Sequence, residues 1–142
     1  MTLETLSPRE ASIFACVCDT FVAPRPLLPA VHETDAVEFL DRWLARAPRL
    51  NRVGLRALLY AAELAPRAFG QRRRLRELDD GERADLLERL DRARHVRDLV
   101  KLLQGIAFLA YYGDGAIMLR LGYDADANVM RARKLRAAEA RP

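Results

Sequence analysis

The sequence predicts an all-α fold: a single-domain helical bundle of five to six helices with a basic C-terminal tail. Three observations carry that expectation. Apolar residues recur at the 3.6-residue period along most of the chain, and no stretch alternates as a half-buried strand does. Two capping boxes, Ser7-Pro8-Arg9-Glu10 and Asp79-Asp80-Gly81-Glu82, each precede an apolar run. Short segments rich in Pro or Gly separate the periodic runs. At 142 residues one core buries about two-thirds of the unfolded surface, so neither metal nor disulfide is needed as a staple. Hydrophobic residues at 51% and charged residues at 31% exclude a disordered chain.

In chain order, Ser7 caps the first helix, Pro8 takes its first position, and Glu10 reaches back to the cap. Phe14, Val17, Cys18 and Phe21 then define one buried face. Pro24, Pro26 and Pro29 stop the helix and stiffen a connector. A second helix, capped near Thr34, places Leu40, Trp43, Leu44 and Ala47 on one stripe before Pro48. A third starts around Asn51, carries Leu55, Leu58, Leu59 and Ala62, and ends near Pro66. The stretch from Pro66 to Glu77 lacks a clear period and holds Arg72, Arg73, Arg74 and Arg76.

Asp79 and Glu82 open a fourth helix with Leu86, Leu87 and Leu90 inside. The fifth, from about His95 to Tyr112, is the most apolar. Val96, Leu99, Val100, Leu103, Ile106, Ala107 and Ala110 form its stripe, widened by Leu102, Phe108 and Leu109. A helix apolar on most sides is expected at the centre, surrounded by its neighbours. Gly113-Asp114-Gly115 breaks it, and a short helix from Ala116 to Leu121 leads to Gly122-Tyr123. Residues 1–123 are thus the helical domain and 124–142 a basic tail or partner-binding arm. The tail offers only Val129, Met130 and Leu135 as larger apolar anchors, beside Arg131, Arg133, Lys134, Arg136 and Arg141. Ordering costs about 1–2 kcal/mol of backbone entropy per residue, more than three side chains return. The tail is expected to be mobile alone, or helical only briefly near Asn128–Ala138, and to become ordered across a partner.

Chemistry is sparse. Cys16 and Cys18 sit in an apolar run, and i, i+2 spacing on a helix prevents them from gripping one ion together. Ser7 and Ser12 are the only serines, and His32 and His95 the only histidines; no serine adjoins a histidine to form a nucleophile–base pair. No Cys/His cluster has zinc spacing, and no acidic loop matches a calcium hand. Gly113-x-Gly115 follows a helix, and Met118 stands where a dinucleotide loop needs its third glycine. No catalytic, cofactor-binding or metal-binding residue is assigned in this chain.

Partners follow from charge and location. Lys101 and Lys134 are the only lysines among 24 basic residues, so 22 are arginine, yet 20 acids hold the net charge to +4. Acids interleave with the arginines everywhere except Arg72–Arg76 and the tail, which disfavours nucleic acid as the partner. The alternative reading is a stand-alone basic module that binds nucleic acid or another acidic surface through those two stretches. A pocket for a small apolar ligand is a third class, with no polar groups that converge to fix one. Leu99–Tyr112, the longest apolar stretch, is too short and interrupted for a membrane span. The first residues lack a basic and then apolar leader, so the chain is expected in the cytoplasm, and in the periplasm only if a partner carries it there or a signal has been removed.

Several motifs in order resemble one family. Leu6-Ser7-Pro8-Arg9-Glu10 followed by Cys18-Asp19-Thr20-Phe21-Val22-Ala23-Pro24 is similar to the "LTPxE…CDTFVP" start of gluconate 2-dehydrogenase subunit 3-like proteins. The same pattern begins the N-terminal helical region of long-chain alcohol oxidases. Val37-Glu38-Phe39-Leu40-Asp41 resembles the family's "VxEFID" helix, and Leu78-Asp79-Asp80-Gly81-Glu82-Arg83 its "LSPEER" turn. Tyr111-Tyr112-Gly113-Asp114 with Leu121-Gly122-Tyr123 resembles the closing "YYSDPxVWxxLGY", with Met118 or Leu119 in place of its tryptophan. The resemblance implies a non-catalytic small subunit, without cofactor of its own, that binds a large flavoprotein of the glucose-methanol-choline oxidoreductase family. That large subunit would hold FAD and oxidise an alcohol or sugar, and any peripheral membrane association would come through the complex. Tyr111, Tyr112 and Tyr123, with Met130, Arg131, Arg133 and Arg136 of the tail, are the candidate partner-binding residues. The competing reading is that the tyrosines close the domain's own core.

Overall fold

A computed structural model describes residues 3–22 and 28–139. Among them lie seven α-helices and two 3₁₀ turns, and no strand. The helices are α1 (Pro8–Val22), α2 (Ala36–Arg46), α3 (Arg49–Ala68), α4 (Asp80–Arg92), α5 (Arg97–Tyr112), α6 (Gly115–Arg120) and α7 (Ala125–Glu139). The 3₁₀ turns, Val31–Glu33 and Leu75–Glu77, lead into α2 and α4. The fold is the expected all-α bundle, with α7 as a further helix in the tail. Pro24 and Pro26 lie outside the described residues, as does Arg141.

Both capping boxes form. Ser7 N–H donates to Glu10 Oε2 at 2.8 Å and Glu10 N–H to Ser7 Oγ at 3.3 Å. Asp79 N–H donates to Glu82 Oε2 at 3.0 Å and Glu82 N–H to Asp79 Oδ1 at 2.9 Å. Each box satisfies two otherwise orphaned donors of a first turn. Glu10 does more than cap: it is buried, and Arg56 Nε of α3 lies 3.3 Å from its Oε1.

Several boundaries differ from expectation. The second helix starts at Ala36, whose N–H donates to Thr34 Oγ1 at 3.4 Å, while Asp35 occupies the cap position without a side-chain bond. The third runs from Arg49 and continues through Pro66 to Ala68. Pro66 lacks only one donor to the preceding turn, and the helix is stopped four residues later at Gly70. There φ is +80°, Gly70 N–H donates to the Arg67 carbonyl and Gln71 N–H to that of Pro66, which is a Schellman stop. Gly122, at φ +72°, ends α6 in the same way: its N–H reaches the Leu119 carbonyl, and Tyr123 N–H reaches that of Met118.

The core joins Ile13, Phe14 and Val17 of α1 to Leu40 and Leu44 of α2, Leu59 of α3, and Leu103 and Ala107 of α5. Helices α1 and α5 pair most extensively, and α5 also packs on α2, α4 and α6. It is nonetheless not enclosed. Leu99, Leu102 and Leu109 are 49%, 54% and 59% exposed, which corrects the expectation of a helix covered on all sides. Its neighbours cover only the arc centred on Leu103, Ala107 and Ala110, and the rest of the apolar band is wider than they can bury. Trp43 is likewise 43% exposed, because α2 turns Ala36, Leu40 and Leu44 inward and leaves the indole beside that face.

Gly105 lies mid-helix in α5, and a Cβ there would meet nothing within 4 Å. Gly105→Ala is expected to stabilise the isolated chain by about 0.5–1 kcal/mol, since glycine costs that much in a helix interior. A thermal melt checks it; a drop in melting temperature would contradict the open geometry.

Candidate functional site

The groups able to carry covalent chemistry are disarmed. Burial pushes the Cys16 thiol up, with Arg83 opposing, and pushes that of Cys18 up much further. Both are buried and free, and stay protonated thiols at neutral pH. Ser7 belongs to its cap, and Ser12 Oγ accepts from Arg76 at 3.1 Å. His32 and His95 are exposed on separate segments. Among the described residues no group of three His, Cys, Asp or Glu is placed to hold a metal ion.

Two of the predicted partner residues fall at the C-terminal end of α5 and a third just after α6, and the structure divides them. Tyr111 is 1% exposed, and its hydroxyl donates to the Pro29 carbonyl at 2.6 Å. It is a core residue and offers no surface to a partner, because the buried arc of α5 runs through Ala107, Ala110 and Tyr111. Tyr112 is half-buried, edge-on to both Phe108 and Tyr111 with centroids 5.8 and 5.1 Å away. Tyr123 is 51% exposed, carried outward by the Schellman turn at Gly122. Asp114 explains much of the local sequence. Its Oδ1 accepts from Ala116 N–H at 2.8 Å and Ile117 N–H at 3.2 Å, capping α6. Its Oδ2 accepts from Asp35 N–H at 3.2 Å, which ties the start of α6 to the start of α2. Burial pushes this carboxyl up, but the N–H groups of Asp35, Ile117 and Ala116 outweigh that and hold it below the usual carboxylate range.

The tail is helical over Ala125–Glu139, beyond the Asn128–Ala138 stretch expected. Asp124, unremarked in the sequence reading, caps it by accepting from Ala127 N–H at 2.9 Å. Alanine, arginine, methionine and leucine then supply high helix propensity. Every side chain from Asp126 to Ala138 is exposed, including Met130, Arg131, Arg133 and Arg136. Val129, Met130 and Leu135 fall on different sides of the cylinder, so α7 has no apolar face to lay on its own bundle. Just before it in sequence, Leu119 and Leu121 are 73% and 56% exposed, and Leu102 and Leu109 of α5 are exposed as well.

The arginine run does not act as a unit. Arg73 pairs with Glu82, and Arg76 reaches inward to Glu63. Arg72 and Arg74 form no ion pair among the described residues.

An apolar groove that the sequence does not reveal opens between α1, α3, α4 and α5. Its volume is about 320 Å³, and its walls include Phe21, Leu58, Phe69, Leu90, Val96 and Leu103. The groove exists because α3 packs on α1 and the Leu75–Glu77 turn but makes no extensive contact with α4 or α5. Ala61, Ala62, Ala65 and Ala68, the small residues of that α3 face, leave the gap unfilled. Only their spacing, i, i+1, i+4, i+7, signals it in the sequence.

Among the described residues no helix is long and apolar enough to cross a membrane. No protein-family model, no curated protein and no solved structure matches this chain.

Proposed function

We propose that this protein is a non-catalytic helical subunit that binds and stabilises a large FAD-dependent oxidoreductase acting on an alcohol or sugar. The observation that carries the reading is the number of large apolar side chains left exposed in the last third of the chain, Leu102, Leu109, Leu119, Leu121 and Tyr123, followed by the basic helix α7 with its described side chains exposed. Exposed apolar surface of this kind on a small protein marks interaction sites where it gathers into a patch. Tyrosine supplies rigid contact area there, and arginine pairs with carboxylates in two-pronged fashion. The ordered likeness of residues 6–123 to gluconate 2-dehydrogenase subunit 3-like sequences supplies the identity of the partner. In this reading the FAD belongs to the large subunit, the small chain does no chemistry alone, and both work in the cytoplasm unless the complex attaches to a membrane.

The pairing of Arg73 and Arg76 with acids of their own chain weakens the nucleic-acid alternative, which is left with Arg72, Arg74 and α7. Co-expression with a flavoprotein of this class encoded beside it, followed by size exclusion, tests the proposal. Co-elution is expected, with about 1,200 Å² or more buried in total. Deleting residues 124–142 is expected to weaken co-elution at least tenfold while leaving the melting temperature nearly unchanged, because α7 buries nothing on the bundle. Separate elution of two folded proteins would refute the proposal, and a much lower melting temperature of the truncated chain would refute the role of α7.

A further inference from the structure

We propose that the groove between α3 and the α4–α5 pair is a binding site for one alkyl chain of about ten carbons, as in a medium-chain fatty acid or alcohol. The walls are hydrocarbon. Thr20 is the only polar residue among those that line it, and its hydroxyl already donates to the Cys16 carbonyl at 2.7 Å. No donor or acceptor side chain is therefore left to hold water in place, and replacing water on such walls by hydrocarbon is favourable. Protein interiors are otherwise close-packed, so leucines facing a gap of this size lack contact atoms on one side.

Size and polarity select the occupant. The volume of 320 Å³ falls in the range of ligand pockets. A partner's helix, about 10–12 Å across, would lie over the groove and reach its walls through side chains alone. An extended peptide would bring backbone N–H and C=O groups into walls that cannot bond them. A second copy of this chain would likewise reach the walls through side chains alone. A methylene takes about the ~30 Å³ of a liquid water, so the groove holds about ten in a row. Ala61, Ala68 and Leu99 on its rim are exposed, so the polar head of such a molecule stays in water. The ligand and the proposed flavoprotein partner use different surfaces, since neither Tyr123 nor α7 lines the groove.

Isothermal titration of the full chain with n-alkanols and n-alkanoates of four to fourteen carbons tests this. Each added methylene is expected to tighten binding about fourfold, from ~0.8 kcal/mol per buried CH₂, with one site per chain. The gain should level off near ten carbons, and decanol and decanoate should bind within about threefold of each other. Ala65→Phe, which projects a ring from α3 into the groove, should weaken decanol at least tenfold with an unchanged melting temperature. Should that variant fail to fold, Ala62→Leu replaces it with the same expectation. Absence of saturable binding, affinity that climbs past fourteen carbons without levelling, or indifference to the folded blocking variant would each overturn the proposal. So would a stable dimer in light scattering that decanol does not compete with, since a second copy would then fill the groove.

Discussion

Replacing Asp41 with alanine is expected to destabilise the fold by about 3–5 kcal/mol, an unusually large cost for one polar residue. Asp41 lies in α2, 4% exposed, and its carboxylate accepts three consecutive backbone N–H groups. Glu4 donates to Oδ2 at 2.8 Å, and Thr5 and Leu6 donate to Oδ1 at 2.9 and 2.7 Å. These bonds fasten the segment before α1 to α2 across more than thirty residues of sequence. Each is charge-assisted, and Leu6, whose N–H would be left bare, is itself buried. Asp41→Asn keeps one acceptor oxygen and should cost roughly half as much. The pH dependence follows from the same geometry. Burial pushes the carboxyl up, but the N–H groups of Leu6, Glu4 and Thr5 outweigh it, so the folded-state pKa lies below the ordinary carboxylate value. A group depressed on folding contributes stability that is fully present above its unfolded pKa of about 3.9 and is lost as pH falls through the folded value. Urea melts at pH 7, 4 and 2.5 check both claims. The wild type should lose stability on the acid limb more steeply than Asp41→Ala, and equal slopes would contradict the assignment.

The second large effect is expected at Arg76. Its Nε and a terminal nitrogen both lie 2.9 Å from Glu63 Oε1, and Glu63 is fully buried in α3. The hydrogen bond to Glu63 holds the guanidinium pKa above its usual value against the burial that lowers it. Arg76→Met removes the only cation bonded to that carboxylate among the described residues and leaves a charge in the interior, at a cost of about 3–5 kcal/mol. Among the described residues the Glu63 Oε2 atom has no partner, so no second bond compensates. Restoring an apolar pair with Glu63→Leu alongside Arg76→Met should recover most of the loss, because a buried pair and a well-packed apolar pair are often close in energy. Chemical denaturation of both singles and the double mutant measures the coupling. Additive losses would show that the two side chains do not act together.

What the sequence made legible was local. Ser7 with Glu10 and Asp79 with Glu82 are three apart, and the bonds that define a capping box are set by that spacing alone. The helical period likewise located α1 through α6, since which residues share a face depends only on their separation. Long-range pairs left no such trace. Asp41 reads as one acid in a surface-like alternation, and nothing nearby announces the three N–H groups that arrive from residues 4–6. Glu63 and Arg76 are thirteen apart across a turn, and each resembles the many solvated charges around it. The period also gave the width of the apolar band on α5 without saying how much of it neighbours cover, so Leu102 and Leu109 read as core and stand in solvent. Of the candidate partner residues, Tyr123, Met130, Arg131, Arg133 and Arg136 are exposed, Tyr112 is half-buried and Tyr111 is buried. Tyr111 and Tyr112 are adjacent in sequence, and a rotation of 100° about the helix axis separates core from rim. The groove was hidden because alanines on a helix face look like a close packing seam until the facing helix is seen to stand away.

The central claim is that the chain binds its partner through the surface of α5, α6 and α7. Amide hydrogen exchange of the chain alone and in complex with the co-expressed flavoprotein tests it most directly. Exposed α7 should exchange within seconds when the chain is alone, as a fifteen-residue helix without tertiary contacts is marginal in water. On binding, protection should rise by tenfold or more across Leu119–Tyr123 and α7, with little change in α3. No change in those segments, or protection confined to α2 and α3, would contradict the account.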